Sequence, residues 1–136
     1  MIDLAIWVVA EPSHLVSVDF LSHVEHTNHY IGKLFVDTGI VTIACFVSPT
    51  IELRQMARDI IGGDDFREVY IATPLEECER RDVKGLYARA RRGEVKEFTG
   101  ISAPFEAPAN PDLSLDTSQM TLKEEVEAVV QLITNR

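Results

Sequence analysis

At 136 residues, with 46% hydrophobic and 26% charged side chains, the chain can build one domain with a real core and is too short for two. A net charge of −9 argues against a general binder of nucleic acid or anionic membrane, and the apolar run Ile2 to Ala10 is far short of the roughly 20 residues of a membrane span. Cys45 and Cys78 are too few for a disulfide framework or a cysteine zinc site and read as reduced residues in or near the core; with no basic signal start, a cytoplasmic location is expected.

Ile2 to Ala10, closed by Glu11-Pro12, has the continuous apolar character of a buried strand. Between Val18 and Asp37 the positions Leu21, Val24, Ile31, Leu34 and Phe35 fit a helical stripe that Gly39 would stop. Ile40 to Val47 is a β-branched strand, and Ser48-Pro49 reads as an N-cap and first-turn proline for a helix ending near Ile61, before Gly62-Gly63. Phe66 to Ala72 is a third strand. Thr73-Pro74-Leu75-Glu76 has the spacing of a capping box, so a helix is expected there, with a further helical stretch from about Val83 to Arg92 stopped by Gly93. The following stretch holds Gly100, Pro104, Pro108 and Pro111, a long loop of the kind that forms lids and binding loops. Leu113 to Asp116 is a short strand, and Thr121 with Glu124 opens a carboxyl-terminal amphipathic helix. Alternation of strand and helix predicts an α/β fold: a three-layer parallel sheet with helices on both faces and ligands at the carboxyl ends of the strands.

The average charge conceals a local reversal. Arg80, Arg81, Lys84, Arg89, Arg91, Arg92 and Lys96 against Asp82 and Glu94 give residues 80–96 a charge of +5, which leaves −14 on the remainder. Such a stretch is either a solvated helix face or a site for a small, highly charged anion such as a nucleotide. A phosphate loop would be the natural companion, yet Gly32-Lys33 is followed by Leu34 where Ser or Thr is required, and Thr27 stands where the first glycine belongs. Without that loop there is no nest of consecutive amides for a β-phosphate and no hydroxyl for magnesium.

Phe66 to Pro108 (FREVYIATPLEECERRDVKGLYARARRGEVKEFTGISAPFEAP), Leu115-Asp116-Thr117, Lys33 to Pro49 and Arg54 to Arg58 together resemble the adenylylsulfate (APS) kinase family. The resemblance covers residues 33–136, leaves 1–32 divergent and implies a P-loop-kinase-like but incomplete fold with a lid at about 82–108. The implied activity is ATP-dependent 3′-phosphorylation of adenosine 5′-phosphosulfate to PAPS in sulfate assimilation. ATP is then the co-substrate, with magnesium expected from the family but no metal ligands identified in this chain, and the partners are APS or PAPS and a second copy in a homodimer.

On the substrate side the resemblance implies that Lys84 reaches the phosphosulfate or the transferred phosphate, while Phe98 stacks on the APS adenine, a contact worth roughly 1–3 kcal/mol. Thr99 lies in the same motif, Gly100 lets the backbone approach the ligand, Ile101 closes the apolar side, and Ser48 is at a substrate-side turn. For the ATP adenine it implies Arg81 as the packing residue and Thr117 at the end of the base pocket. Phe98 has another use open to it, pinning the lid to the body; as a lid residue it is expected to contribute little to the core.

Departures from the family pattern bear on catalysis. The phosphate loop and the Asp-Gly-Asp-Asn segment with the catalytic aspartate are missing, Val24-Glu25-His26-Thr27 replaces an Asn-Ile-Arg-Arg stretch, and Thr50-Ile51 replaces an aromatic-arginine pair. No catalytic residue can therefore be assigned, and activity is expected to be impaired, since phosphoryl transfer depends on positioning and charge neutralisation. The alternative is a noncatalytic APS or PAPS-binding regulatory module or pseudokinase fragment. All four histidines (His14, His23, His26, His29) fall close together, but a three-residue repeat lets at most two share a metal and no H-E-x-x-H occurs, so an exposed helix face is expected instead.

Overall fold

The computed structural model describes the backbone over residues 5–12, 15–18 and 25–135 and the side chains over 29–135. Its elements are β1 (Ala5–Pro12), β2 (Leu15–Val18), α1 (Glu25–Asp37), β3 (Ile40–Phe46), α2 (Ile51–Ile61), β4 (Arg67–Ile71), α3 (Leu75–Arg81), α4 (Leu86–Arg91), β5 (Leu113–Leu115) and α5 (Leu122–Thr134). One five-stranded sheet has the order β2-β3-β1-β4-β5. The three layers follow from the two-residue period of β3. Phe46 and Ala44 join Ala57 and Ile61 of α2, Val36 of α1 and Phe66 in one cluster, whereas Val41 and Ile43 join Val69, Leu115 and the inner face of α5 (Ala128, Val129, Leu132, Ile133) in another.

The α/β class is as expected, but the sheet is not wholly parallel. β2 pairs parallel with β3 and β4 with β5, while β1 runs antiparallel to both β3 and β4. A parallel return needs a crossover of about a dozen residues or more, and only two residues separate Pro12 from Leu15. A link so short leaves β1 and β2 antiparallel to each other, so with β2 parallel to β3, β1 opposes it. Strand β2 lies at the start of the stretch read as a helix, whose observed helix begins at Glu25; Leu21 and Val24 of that stripe and the histidines His14 and His23 lie outside the described residues.

Three local expectations give way to neighbouring chemistry. Thr50, not Ser48, caps α2: its hydroxyl accepts from the Leu53 amide, while Ser48 sits two residues earlier at φ 36° in the left-handed region. Thr73 does not cap α3, because its hydroxyl is engaged with Thr117, and Pro74 holds the cap position without a side-chain bond. The helix expected from Val83 to Arg92 starts at Leu86, after Gly85 takes a left-handed turn and the Asp82 carboxylate accepts from the Tyr87 and Ala88 amides. These bonds hold the Asp82 carboxyl below its ordinary range. The Thr121–Glu124 capping box is present in full. His29, expected on an exposed face, is 2% exposed and edge-packed on Phe46 with centroids 6.2 Å apart.

Arg54, 4% exposed, ties α2 to its surroundings. Its Nε is 2.9 Å from Glu68 Oε1, its Nη1 donates to Ser48 O at 2.8 Å and its Nη2 to Glu106 O at 2.5 Å, with the guanidinium 5.7 Å above the Phe105 ring. Burial raises the Glu68 carboxyl above its ordinary value even though Arg54 and Arg58 pull it down. Arg54→Met should therefore destabilise the protein by about 3 kcal/mol in urea unfolding at pH 7, because it leaves a buried carboxylate with only Arg58, 4.0 Å away. The raised carboxyl takes up a proton as pH falls, so the deficit should shrink toward pH 4; a deficit that is constant with pH would contradict this account.

Candidate functional site

The carboxyl ends of β3, β4 and β5 share one edge of the sheet, since β3 and β4 both oppose β1 and β5 is parallel to β4. Two side-chain groupings form there. The first joins the ends of β4 and β5 through α3. Thr73 Oγ1 is 2.8 Å from Thr117 Oγ1 and accepts from the Thr117 amide at 3.2 Å, so the loops after the two strands are fastened together. Arg81, one helix away, donates from Nη1 to Thr117 Oγ1 at 2.7 Å and from Nη2 to Thr117 O at 2.9 Å. Its Nε donates to Glu77 Oε1 at 2.6 Å, while the same carboxylate receives Arg80 at both oxygens. Bonds from Arg80 and Arg81 hold the Glu77 carboxyl at about 2, so it is ionised throughout the physiological range.

The second grouping surrounds the turn after β3. Ser48 is 1% exposed, and its Oγ has no hydrogen-bond partner among the described residues. The segment 82–108 is fastened here by Glu106, whose amide donates to Pro49 O and whose carboxylate accepts from the Ile51 amide, each at 2.8 Å. Phe105 stacks on Tyr70 with centroids 5.9 Å apart and planes 12° from parallel. Beside this turn a cleft of about 120 Å³ is lined by Arg54, Arg58, Glu68 and Pro108 to Asn110. It is well below the roughly 300 Å³ of the smallest usual ligand pockets. Its arginines are already answered by Glu68 and Asp112.

Between the groupings lies the segment 82–108. Residues 80–96 do not present seven unanswered cations: Arg80 pairs with Glu77, Arg91 with Glu79, and Arg89 and Arg92 with Glu94. Glu77 and Glu79 lie just before the basic stretch, so a window starting at Arg80 overstates its charge. Lys84 is exposed in the turn before α4 with no ion-pair partner among the described residues, and Arg81 is turned inward. Phe98 is 7% exposed, in a cluster with Cys78, Tyr87 and Ala90 that also gathers Leu75 and Ile101, and its ring meets Tyr87 edge-on at 5.1 Å. The expectation that it adds little to packing is overturned: the ring is buried in a core that joins the segment 82–108 to Leu75 and Cys78 of α3. Thr99 and Gly100 form the turn beside it, where Phe98 O accepts from the amides of Ile101, Ser102 and Ala103 and Gly100 takes φ 82°.

The structure thus brings Arg81 and Thr117 into contact, groups Phe98, Thr99, Gly100 and Ile101 in one turn, and sets Ser48 and Lys84 on separate elements. Thr73, Glu77, Arg54 and Glu106 were missed. A carboxylate four residues before Arg81 was a legible signal for Glu77; nothing local pairs Glu106 with a helix start 55 residues earlier. Among the described residues no group of three or more His, Cys, Asp or Glu could hold a metal ion, and no helix is long and apolar enough to cross a membrane.

An α/β sheet with helices on both faces, together with the likeness to solved APS kinases, places the chain in the P-loop kinase fold. The family model for adenylylsulphate kinase matches residues 22–116, and the chain belongs to that family. An adenylyl-sulfate kinase of Phocaeicola vulgatus is 69% identical over 103 residues, 76% of this chain and 50% of that protein. One from Bacteroides fragilis is 60% identical over 106 residues, 78% of this chain and 52% of that protein. The chain spans about half the length of these curated relatives. Among solved structures, the Mycobacterium tuberculosis APS kinase in complex with AMPPNP and APS aligns with a TM-score of 0.77 at 32% identity, covering 91% of this chain and 80% of that one. β1 and β2 precede the residues matched by the family model.

Phe98→Ala should lower stability by about 3 kcal/mol, as removing a buried aromatic does, measured by urea unfolding. A loss under about 1 kcal/mol would show that this core is not a stabilising unit.

Proposed function

We propose that this chain is an adenine-nucleotide-binding domain of the APS kinase type, acting on adenosine 5′-phosphosulfate with ATP as the phosphoryl donor. The observation that carries the proposal is the Arg81–Thr117–Thr73 constellation at the carboxyl edge of β4 and β5. All three guanidinium nitrogens are bonded by the protein, at Nε by Glu77 and at both Nη by Thr117. An arginine held by its edge has its flat faces left to stack on a base. ATP adenine is assigned to that platform. APS is assigned to the lid turn Phe98–Ile101, with Lys84 as a point charge for its anionic end and Ser48 at the turn after β3. Since the Phe98 ring is packed on Tyr87, it can take the APS adenine only as the lid shifts, so APS binding is coupled to lid movement. Magnesium is assigned to the phosphates of ATP and to no residue of this chain. Sulfate assimilation in the cytoplasm is the proposed setting. The exposed apolar stripe Leu122, Val126 and Val130 on α5 supports a homodimer.

A second reading is favoured by one specific observation: the sequence has no phosphate loop, so the chain is either a weak kinase or a noncatalytic sensor of APS or PAPS. Calorimetric titration with ATP, APS and PAPS tests the shared claim, with dissociation constants in the micromolar to millimolar range expected. Absence of binding at millimolar nucleotide would overturn it. Turnover of APS by the purified chain in a coupled assay would select the kinase, and saturable binding without turnover the sensor.

A further inference from the structure

We infer that Glu77 is a positioning residue for nucleotide-base recognition, acting through Arg81; the inference rests on the proposed assignment of Arg81 to the base. A free arginine side chain samples many rotamers, and holding it as a platform costs side-chain entropy unless its donors are met in one geometry. Thr117 meets Nη1 and Nη2 from one side. Those two bonds alone let the guanidinium hinge about the line joining the two nitrogens. Glu77 Oε1, 2.6 Å from Nε, supplies a third point and removes that hinge.

Both partners are themselves fixed. Thr117 is tied to Thr73 by hydroxyl and amide, and Glu77 leaves α3 one turn before Arg81, so the carboxylate and the guanidinium lie on one helix face. Arg80 donates from Nε to Oε2 and from Nη2 to Oε1, each at 2.6 Å, so Oε1 accepts from both arginines, and Arg80 stays largely exposed. The pair Arg80–Glu77 orients the carboxylate toward Arg81. Glu77 is 18% exposed and its carboxyl is held at about 2 by two arginines, so its removal should also lower stability somewhat; its role in base recognition is read from ATP against a ligand without a base.

The test compares ATP with inorganic tripolyphosphate on the full chain, wild type against Glu77→Ala, Glu77→Gln and Arg81→Ala, with melting temperature recorded for each. Tripolyphosphate carries the charge without the base. Expected is an approximately tenfold loss of ATP affinity in Glu77→Ala, the scale of a weakened base stack. Tripolyphosphate affinity should be unchanged, a modest fall in melting temperature is expected for Glu77→Ala, and Glu77→Gln, which keeps one acceptor oxygen, should fall between in ATP affinity. Wild-type ATP affinity in Glu77→Ala alongside a loss in Arg81→Ala overturns the role of Glu77 and leaves the base platform standing. Equal affinity of the wild type for ATP and tripolyphosphate, or binding of neither, overturns the platform and this inference with it.

Discussion

A buried cation holds the molecule's working edge together. Arg54 reaches from the first turn of α2 to the Glu68 carboxylate on β4, the Ser48 carbonyl after β3 and the Glu106 carbonyl at the end of the segment 82–108. Burying an unpaired guanidinium would be prohibitively costly, so the three oxygens and the cation are mutually required. Through them the turn after β3, the body of β4 and the end of that segment keep one arrangement. The left-handed backbone at Ser48 is held in that arrangement by the same contact.

The opposite side of the segment is fastened by a second charged group of the same design. Arg81 binds Thr117 and Glu77 as Arg54 binds Ser48, Glu106 and Glu68: one guanidinium satisfied partly by backbone carbonyl and partly by carboxylate. The difference lies in burial. Arg54 has almost no exposure and serves architecture, whereas the Arg81 side chain keeps 31% of its surface open at the sheet's carboxyl edge, where α/β proteins take ligands. Between the two anchors the segment 82–108 packs on α3 through a small core of Phe98, Tyr87 and Ala90 with Cys78 and Leu75. Because Leu75 and Cys78 of α3 belong to that cluster, displacing the segment would break its packing on α3.

Strands β3, β4 and β5 and helices α2 and α5 were legible because each has period, caps or stops of its own: β-branched residues in Ile40 to Phe46, Gly62 after Ile61, and Thr121 with Glu124. The direction of β1 was not, because strand polarity is decided by the length of the link to β2 and not by the apolar run itself. Thr73 followed by Glu76 has the right spacing for a capping box, yet a tertiary partner, Thr117, outbid the local one. The basic stretch misled for a related reason: charge counted along the chain takes no account of Glu77 and Glu79, which lie just upstream and fold against it. In the candidate site, the contact between Arg81 and Thr117 was foreshadowed by resemblance, whereas the clamp at Glu106 depends on a pairing across more than 50 residues that no local pattern encodes.

Amide hydrogen exchange with and without ATP is the most direct measure of whether the Arg81 edge receives a nucleotide. The account predicts slowed exchange at saturating ATP in α3 and at residues 115–119, with little change in α1. Uniform exchange in the presence and absence of ATP, or protection confined to α1 and α2, would contradict it.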